Sequence, residues 1–434
     1  MIFQDTFTIS QRIFPSNRPI ELDIRGIVMH LKTESLRQRY GDFSLLWVRE
    51  DGTFTDGSIP GWNRFEGPVP AQYLDDGTMR FTIPAQAEGG ISCRLRLEGA
   101  KGDICSFSIY VLDDDLYGLE PLRGDMHVHS SFSECGNSSD DPLNVAGQAM
   151  KHGLDFIALT DHIQIEGSEF LISELDKYYQ GGFRVYPGEE CHLLDSHLET
   201  RFCHNKFFPW LHIVSFGAND GVIRYANDHY DEFLDDLSRR MAELDPGLHE
   251  SVRRAMAGSD WLIDTIHRFG GLAIYAHPFW KPNFRFNLPA PVREYILAQG
   301  KFDAIELPGL GTNSNRQYRE GNELCQAWWV EASIKAGRIL PVVGDTDSHD
   351  SNTLLGRQYT IVWAKENSLE ALKEAIRNGR TATVSFYEDD VAPHFCGASR
   401  LVTLACFLVR EIFPLQQEER KLEGLELLRK LRAR

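Results

Sequence analysis

The chain has 434 residues, of which 42% are hydrophobic and 25% are charged, and its formal net charge is −18. This length exceeds that of one ordinary domain and is ample for a full hydrophobic core, so we expect two or more domains. The acidic balance argues against an extended nucleic-acid surface, for which a basic stripe is the expected footprint. A short oligonucleotide or a small phosphorylated substrate stays compatible, because bound cations reverse the local field.

The eight cysteines are scattered and show no C-x-x-C spacing, so the sequence predicts neither a zinc knuckle nor a disulfide scaffold. The first residues lack the basic and apolar regions of a secretory signal. No apolar run approaches the roughly 18 residues of a membrane helix. We therefore expect a soluble cytoplasmic protein with reduced thiols.

Residues 1–118 have the pattern of β-structure. Period-two apolar runs such as Ile20–Ile24, Phe43–Val48 and Cys93–Leu97 are separated by turn signals such as Asp51-Gly52 and Asp76-Gly77. Short strands at this spacing predict a β-sandwich-like N-terminal domain. We expect it to serve as a packing partner or a lid for a catalytic domain, with independent ligand binding as the alternative.

Residues 119–385 alternate between strand and helix signals. This alternation predicts parallel strands with crossover helices, in an open doubly wound sheet or in a barrel, with the chemistry at the carboxyl ends of the strands. A segment with helical spacing at about 219–258 is predicted to insert as a cap over that face. Residues 386–434 form a predicted extension that ends in an amphipathic helix, which packs on the body or on another subunit of a homo-oligomer.

Histidine and carboxylate side chains recur where these predicted strands end. In Asp125-Met126-His127-Val128-His129-Ser130, alternation puts His127 and His129 on one face, where they form a ready pair of metal ligands. The later motifs are Asp161-His162, Glu189-Glu190, His212-Ile213, His277-Pro278, Glu306 and Asp345-Thr346-Asp347-Ser348-His349. Each motif alone has an ordinary interpretation as a core histidine or a turn. Their joint occurrence in one α/β unit predicts a metal centre.

In this order, the motifs Asp-x-His-x-His-Ser, Thr-Asp-His, Pro-Gly-x-Glu, His-Ile, Ala-His-Pro and Asp-x-His resemble the PHP (polymerase and histidinol phosphatase) superfamily over about residues 121–385. The resemblance implies an α/β fold, a distorted (β/α)7 TIM-like barrel, with two or three divalent metal ions. The β-domain in front of this unit also resembles the CehA/McbA-type metallohydrolases, which are ester or carbamate hydrolases.

The resemblance also implies a set of ligands. One metal would be held by His127, His129, Glu190 and Asp347, a second by Glu190, His212 and His277, and a third by Glu134, His162 and His349. Glu134 stands where the family more often has Asp or His, and the adjacent Glu189 leaves the identity of the bridging carboxylate open. The many histidines favour Zn²⁺, Mn²⁺ or Fe²⁺ over Mg²⁺.

Such a centre predicts hydrolysis of a small phosphomonoester or phosphodiester by a metal-activated water. The candidates for proton transfer to the leaving group are His162, Asp347 and His349, and those for contact with the substrate phosphate are Lys281, Arg316 and Arg201. One alternative is a hydrolase of carboxylic or carbamate esters on the same centre. Another is a binding or regulatory protein with a degenerate site.

Overall fold

The computed structural model describes residues 7–26, 33–54, 56–58, 64–193, 211–281, 284–307, 316–387 and 390–432. The chain divides into two compact units. The first contains Met1–Leu119 and Thr403–Leu415, and the second contains Glu120–Val402 and Gln416–Arg434. Parts of residues 386–434, which the sequence predicts as a C-terminal extension, belong to each of the two units.

The first unit contains two sheets. One has the strand order β1 (Phe7–Ile9), β3 (Ile20–Gly26), β7 (Met79–Ile83), β6 (Gln72–Tyr73), and the other has the order β2 (Ile13–Pro15), β9 (Asp103–Leu112), β8 (Gly89–Leu97), β4 (Phe43–Arg49), β5 (Glu66–Pro70), with helix α1 at Thr33–Tyr40. Leu22 of the first sheet and Trp47 and Ile91 of the second are buried in one shared core. The period-two patterns thus form the inner faces of two packed sheets.

The second unit also contains two sheets. The six-stranded sheet has the order β12 (Arg184–Tyr186), β11 (Phe156–Leu159), β10 (Glu120–Val128), β18 (Gln358–Ala364), β19 (Thr381–Ser385), β20 (His394–Gly397). The five-stranded sheet has the order β13 (Gly188–Cys191), β14 (Ile213–Phe216), β15 (Leu272–Tyr275), β16 (Ala304–Glu306), β17 (Val342–Val343). The unit is a mixed α/β structure, which confirms the predicted fold class at that level.

One strand of the five-stranded sheet runs against the predicted direction. Strand β14 pairs antiparallel with both β13 and β15, whereas β15, β16 and β17 are mutually parallel. The amino end of β14 therefore lies at the same edge as the carboxyl ends of its neighbours. This corrects the expectation of parallel strands, and His212, predicted within the fourth strand, lies immediately before β14.

Neither sheet of the second unit closes on itself within the described residues. The two sheets are joined by isolated bridges between Val128 and Ser348 and between His162 and Glu190. The backbone N–H of His129 donates to the carbonyl of Ser348 over 2.9 Å. The six- and five-stranded sheets therefore meet where the histidine motifs lie.

Helices cover the sheets of the second unit. They are α2 (Pro142–Lys151), α3 (Glu166–Leu175), α4 (Val222–Asp228), α5 (Tyr230–Ala242), α6 (Glu250–Arg268), α7 (Ala290–Gln299), α8 (Arg316–Ala336) and α9 (Leu369–Arg377). Helix α10 (Ser399–Phe407), a π-helical turn at Leu408–Ile412 and helix α11 (Phe413–Arg432) follow, and their residues Thr403–Leu415 belong to the first unit. The predicted insertion forms α4, α5 and the start of α6. Leu262 and Ile266 of α6 are buried in one core with Ile213 and Ala273 of the sheet, so α6 is a packed layer of this unit. Among the described residues, no helix has the length and apolar character needed to cross a membrane.

Candidate metal centre

His127 is the last residue but one of β10, and His129 is the first residue after this strand. Both side chains are buried. Each ring is held from behind at Nδ1. The Nδ1 atom of His127 lies 2.9 Å from Oε1 of Glu306, and that of His129 lies 3.1 Å from Oγ of Ser133. Because these partners occupy Nδ1, the Nε2 atom of each ring is the one directed at the carboxylates described next.

Glu190, on β13, is the centre of the site and has no solvent exposure. Its carboxylate oxygens lie 2.6 Å from Nδ1 of His212, 2.7 Å from Nδ1 of His162, and 3.4 Å from Nε2 of His127, His129, His192 and His277. Six imidazoles from five different segments thus surround one carboxylate. A purely structural carboxylate needs far fewer partners.

The structure distinguishes Glu190 from its neighbour Glu189. Consecutive side chains on a strand point to opposite faces, and Glu189 turns away from the histidines. Its oxygens accept hydrogen bonds from the backbone N–H groups of Val222, over 2.7 Å, and Ile223, over 3.2 Å, at the start of α4. Burial raises the pKa of Glu189 to about 7. Glu189 therefore anchors a helix, and Glu190 faces the cluster.

Asp347 and His277 complete the cluster in strained backbone conformations. Oδ1 of Asp347 lies 2.8 Å from Nε2 of His129 and 3.2 Å from Nε2 of His127. Asp347 has φ +49° and His277 has φ +25°, values that side-chain-bearing residues rarely adopt. The backbone N–H of His277 donates to Oε2 of Glu306 over 2.6 Å, which helps to hold this conformation. Such strain costs about 1–3 kcal/mol per residue and concentrates at functional sites.

The electrostatics of the cluster favour positive charge between the carboxylates. Burial opposes ionisation of Glu190, but the surrounding imidazoles, His212 foremost, hold its pKa well below the usual range. Burial likewise opposes a charge on His127, but Asp347, Glu190 and Glu306 together raise its pKa well above the usual range. The Glu190 carboxylate therefore stays ionised and favours a cation within the buried cluster.

Several buried atoms that could coordinate a metal ion also lack a hydrogen bond. Both carboxylate oxygens of Glu190 and Nε2 of His127 are shielded from solvent without hydrogen-bond geometry to any neighbour. Buried polar atoms are nearly always satisfied in native proteins. Divalent metal ions fit this donor set, because imidazole nitrogens and carboxylate oxygens aimed at common points are the usual ligands of Zn²⁺, Mn²⁺ and Fe²⁺.

Two of the three predicted ligand sets converge as the resemblance implies. Within 4.8 Å of one another lie the donor atoms of His127, His129, Glu190 and Asp347, and likewise those of Glu190, His212 and His277. The third set differs, because His162 and His349 converge with His129 instead of Glu134. Glu134 is exposed on the loop after β10. The structure therefore does not bring Glu134 into the cluster.

Three other residues of the centre belong to none of the ligand sets that the resemblance implies. Glu306 supports both His127 and His277, and His192 lies beside His162. Asp161 accepts hydrogen bonds from the backbone N–H and hydroxyl groups of Ser130 and Ser133, so it fixes the loop that carries the His129 support. The position of Glu306 at a strand end and the adjacency of Asp161 to His162 were the available signals.

The basic residues predicted to contact the substrate phosphate are less clearly placed. Nζ of Lys281 lies 3.6 Å from Glu320 and 4.9 Å from the centre of the Phe286 ring. Arg316 begins α8, but its side chain lies outside the described residues, as does all of Arg201. An aromatic residue, Trp280, does border the cluster, with its ring 5.5 Å from that of His277.

No protein-family model matches the chain, and no curated protein matches it. Among solved structures, the chain is similar to a two-domain protein from Bacteroides vulgatus ATCC 8482 described as containing a predicted PHP-like metal-dependent phosphoesterase. The identity is 21%, the alignment covers 68% of this chain and 71% of that chain, and the TM-score is 0.44.

Two further similarities are weaker. An amidohydrolase from Chromobacterium violaceum is 16% identical over 54% of this chain and 89% of its own, with a TM-score of 0.33. The lesion-specific endonuclease PfuEndoQ from Pyrococcus furiosus is 15% identical over 60% of this chain and 56% of its own, with a TM-score of 0.34. At these identities and TM-scores, the similarities do not by themselves assign a function.

Proposed function

We propose that the chain is a metal-dependent hydrolase of the PHP type that cleaves a small phosphomonoester or phosphodiester. The observation that carries the proposal is the position of Glu190, which is common to the His127 and the His212 donor groups and has six imidazoles within 3.4 Å. A carboxylate shared in this way would bridge two ions. In this proposal the two open sheets and their bridges correspond to the distorted barrel of the family.

Two groups of side chains would supply the ligands. His127, His129, Glu190 and Asp347 would hold one ion, and Glu190, His212 and His277 a second. When bound, such ions lower the pKa of a water molecule and neutralise charge on a phosphoryl oxygen. The protein groups contribute orientation, since Glu306 fixes the ring of His127 and Ser133 fixes that of His129.

His349 is the best-placed proton donor for the leaving group. Its Nδ1 lies 2.8 Å from the carbonyl oxygen of Asp347 and takes the proton there, which leaves Nε2 as the second functional nitrogen. Its side chain is 35% exposed, whereas those of His162 and Asp347 are 10% and 5% exposed. A group that must reach both the cluster and an incoming substrate needs such exposure. His162 and Asp347 therefore serve chiefly as ligands.

Hydrolysis of a carboxylic or carbamate ester on the same centre is the second candidate, as in the CehA/McbA group. It is favoured by the placement of Lys281, the one predicted phosphate-binding cation whose side chain the structure describes, because its Nζ pairs with Glu320 over 3.6 Å. A phosphate group would then depend on the metal ions for charge neutralisation.

Paired assays separate the two candidates. The purified chain, loaded with Mn²⁺ or Zn²⁺, is tested with p-nitrophenyl phosphate, bis(p-nitrophenyl) phosphate and p-nitrophenyl acetate. We expect phosphate-ester cleavage that a chelator abolishes and added metal restores. Chelator-sensitive cleavage of the acetate alone would move the assignment to the ester hydrolases.

A further inference from the structure

His192 lies two residues beyond Glu190, at the point where β13 ends. Because alternate residues of an extended segment face the same side, His192 points toward the cluster together with Glu190. It is 4% exposed. None of the ligand sets implied by the family resemblance contains it.

The contacts of His192 converge on one point. Its Nε2 lies 2.9 Å from Nδ1 of His162 and 3.4 Å from Oε2 of Glu190, and the same Nδ1 of His162 lies 2.7 Å from that oxygen. Ligand atoms about 2.1 Å from a metal ion are roughly 3.0–3.4 Å apart in octahedral or tetrahedral arrangements. Three donor atoms from three side chains thus have nearly the spacing of one coordination sphere.

The ring of His192 is also held in place. It stacks on the ring of His212 with centroids 3.9 Å apart and an angle of 13° between the planes. A stacked, buried ring loses little conformational entropy when it binds an ion. Each oxygen of a carboxylate carries two lone pairs, so Oε2 of Glu190 can serve this group as well as the His129 group.

We propose that His192 is a ligand of the third metal ion, which it would hold together with His162 and Glu190. His192 would take the place that the resemblance gives to Glu134. The proposal rests on the metal centre of the proposed function. It follows from the contrast between a buried imidazole inside the cluster and an exposed carboxylate outside it. The consequence is a third ion held mainly by histidine, which favours Zn²⁺, Mn²⁺ or Fe²⁺ over Mg²⁺ at this position.

A hydrogen bond between His192 and His162 is the competing explanation for their 2.9 Å separation. In that case His192 would only orient His162, and changes to orienting partners typically weaken metal affinity about 10–100-fold. His192→Asn tests this directly. The amide still donates and accepts hydrogen bonds but is a poor ligand for these metals, so it separates the two roles.

The experiment uses the full chain, stripped with chelator, reloaded with Mn²⁺ and desalted. Bound manganese is counted by elemental analysis, and the affinities are measured by titration calorimetry. We expect H192N to bind one ion fewer than the wild type, with the weakest site reduced more than about 100-fold. The matched control E134Q should bind as many ions as the wild type. Melting curves in chelator check that each variant folds, and H192Q replaces H192N if H192N does not.

Two results would overturn the ligand assignment: H192N retaining the wild-type number of ions, or E134Q losing one. The outcome is separable from that of the proposed function. If the ion counts follow the expected pattern but no phosphate ester is cleaved, the ligand assignment stands and the phosphoesterase proposal falls. If phosphate esters are cleaved but all three proteins bind equal numbers of ions, the phosphoesterase proposal stands and the ligand assignment falls.

Discussion

Glu306 offers a sharp test of how the centre is organised, because its carboxylate contacts two of the proposed metal ligands, His127 and His277, and belongs to neither proposed ligand set. One oxygen faces Nδ1 of His127 at 2.9 Å, the other accepts from the backbone N–H of His277 at 2.6 Å, and the side chain is 1% exposed. Glu306→Gln keeps the size and shape of the side chain. A glutamine has one acceptor oxygen and one donor group, so one of the two N–H groups would face another donor.

The expected cost follows from that mismatch. Loss of the carboxylate behind a metal-binding histidine typically weakens metal affinity about 10–100-fold, which corresponds to about 1.4–2.8 kcal/mol. We expect E306Q to raise the dissociation constant of the tightest metal ion by this factor, measured by calorimetric titration of the chelator-stripped protein with Mn²⁺ or Zn²⁺. The wild-type number of ions should still bind at saturation.

Glu189→Gln is the matched control for this variant. Glu189 is equally buried and also accepts two hydrogen bonds from N–H groups, but these belong to the start of α4. E189Q should therefore lower stability without changing metal affinity. An E306Q protein that binds metal as tightly as the wild type, or an E189Q protein weakened as much as E306Q, would refute the role assigned to Glu306.

Three further predictions concern the cluster and its surroundings. Glu190→Gln should remove at least one bound ion, as counted by elemental analysis. It should also lower the rate of hydrolysis by more than about 100-fold, which is the largest loss expected for a residue that only orients a ligand. Asp155→Asn should lower the free energy of unfolding by about 3 kcal/mol in urea titrations, because the buried Arg123 loses the carboxylate that its Nε contacts over 3.1 Å; a loss below about 1 kcal/mol would contradict this. Burial raises the pKa of Glu189 from 4.5 to about 7, so its contribution to stability is complete below the lower value and is lost as pH rises through the upper one. Metal-free wild type should thus lose more unfolding free energy than E189Q between about pH 5 and about pH 8, and parallel pH profiles would show this assignment to be wrong.

The sequence predicts the parts of the site that depend on local patterns. The alternation His127-Val128-His129 predicts a pair on one face whatever the rest of the fold does, and the apolar run before it predicts the strand. The choice between Glu189 and Glu190 was open, because it depends on which face of β13 is turned to the cluster. Only the pairing of β13 with β14 and the position of α4 decide it.

Other features depend on contacts between distant segments. The direction of β14 follows from its pairing with β13 and β15, so no local pattern shows that His212 precedes its strand. Glu306 and His127 are 179 residues apart in the chain, which hides their contact from any motif. Glu134 has a plausible spacing after His129 but lies on an exposed loop, and spacing alone does not fix where a loop side chain points.

The most direct test of the central claim is elemental analysis of the purified chain combined with hydrolysis of p-nitrophenyl phosphate, with and without chelator. We predict at least two transition-metal ions per chain and phosphate release that stops with chelator and returns with Mn²⁺ or Zn²⁺. A protein that contains no metal, and that stays inactive toward phosphate and carboxylate esters after metal is added back, would contradict the assignment of this cluster as a hydrolytic metal centre.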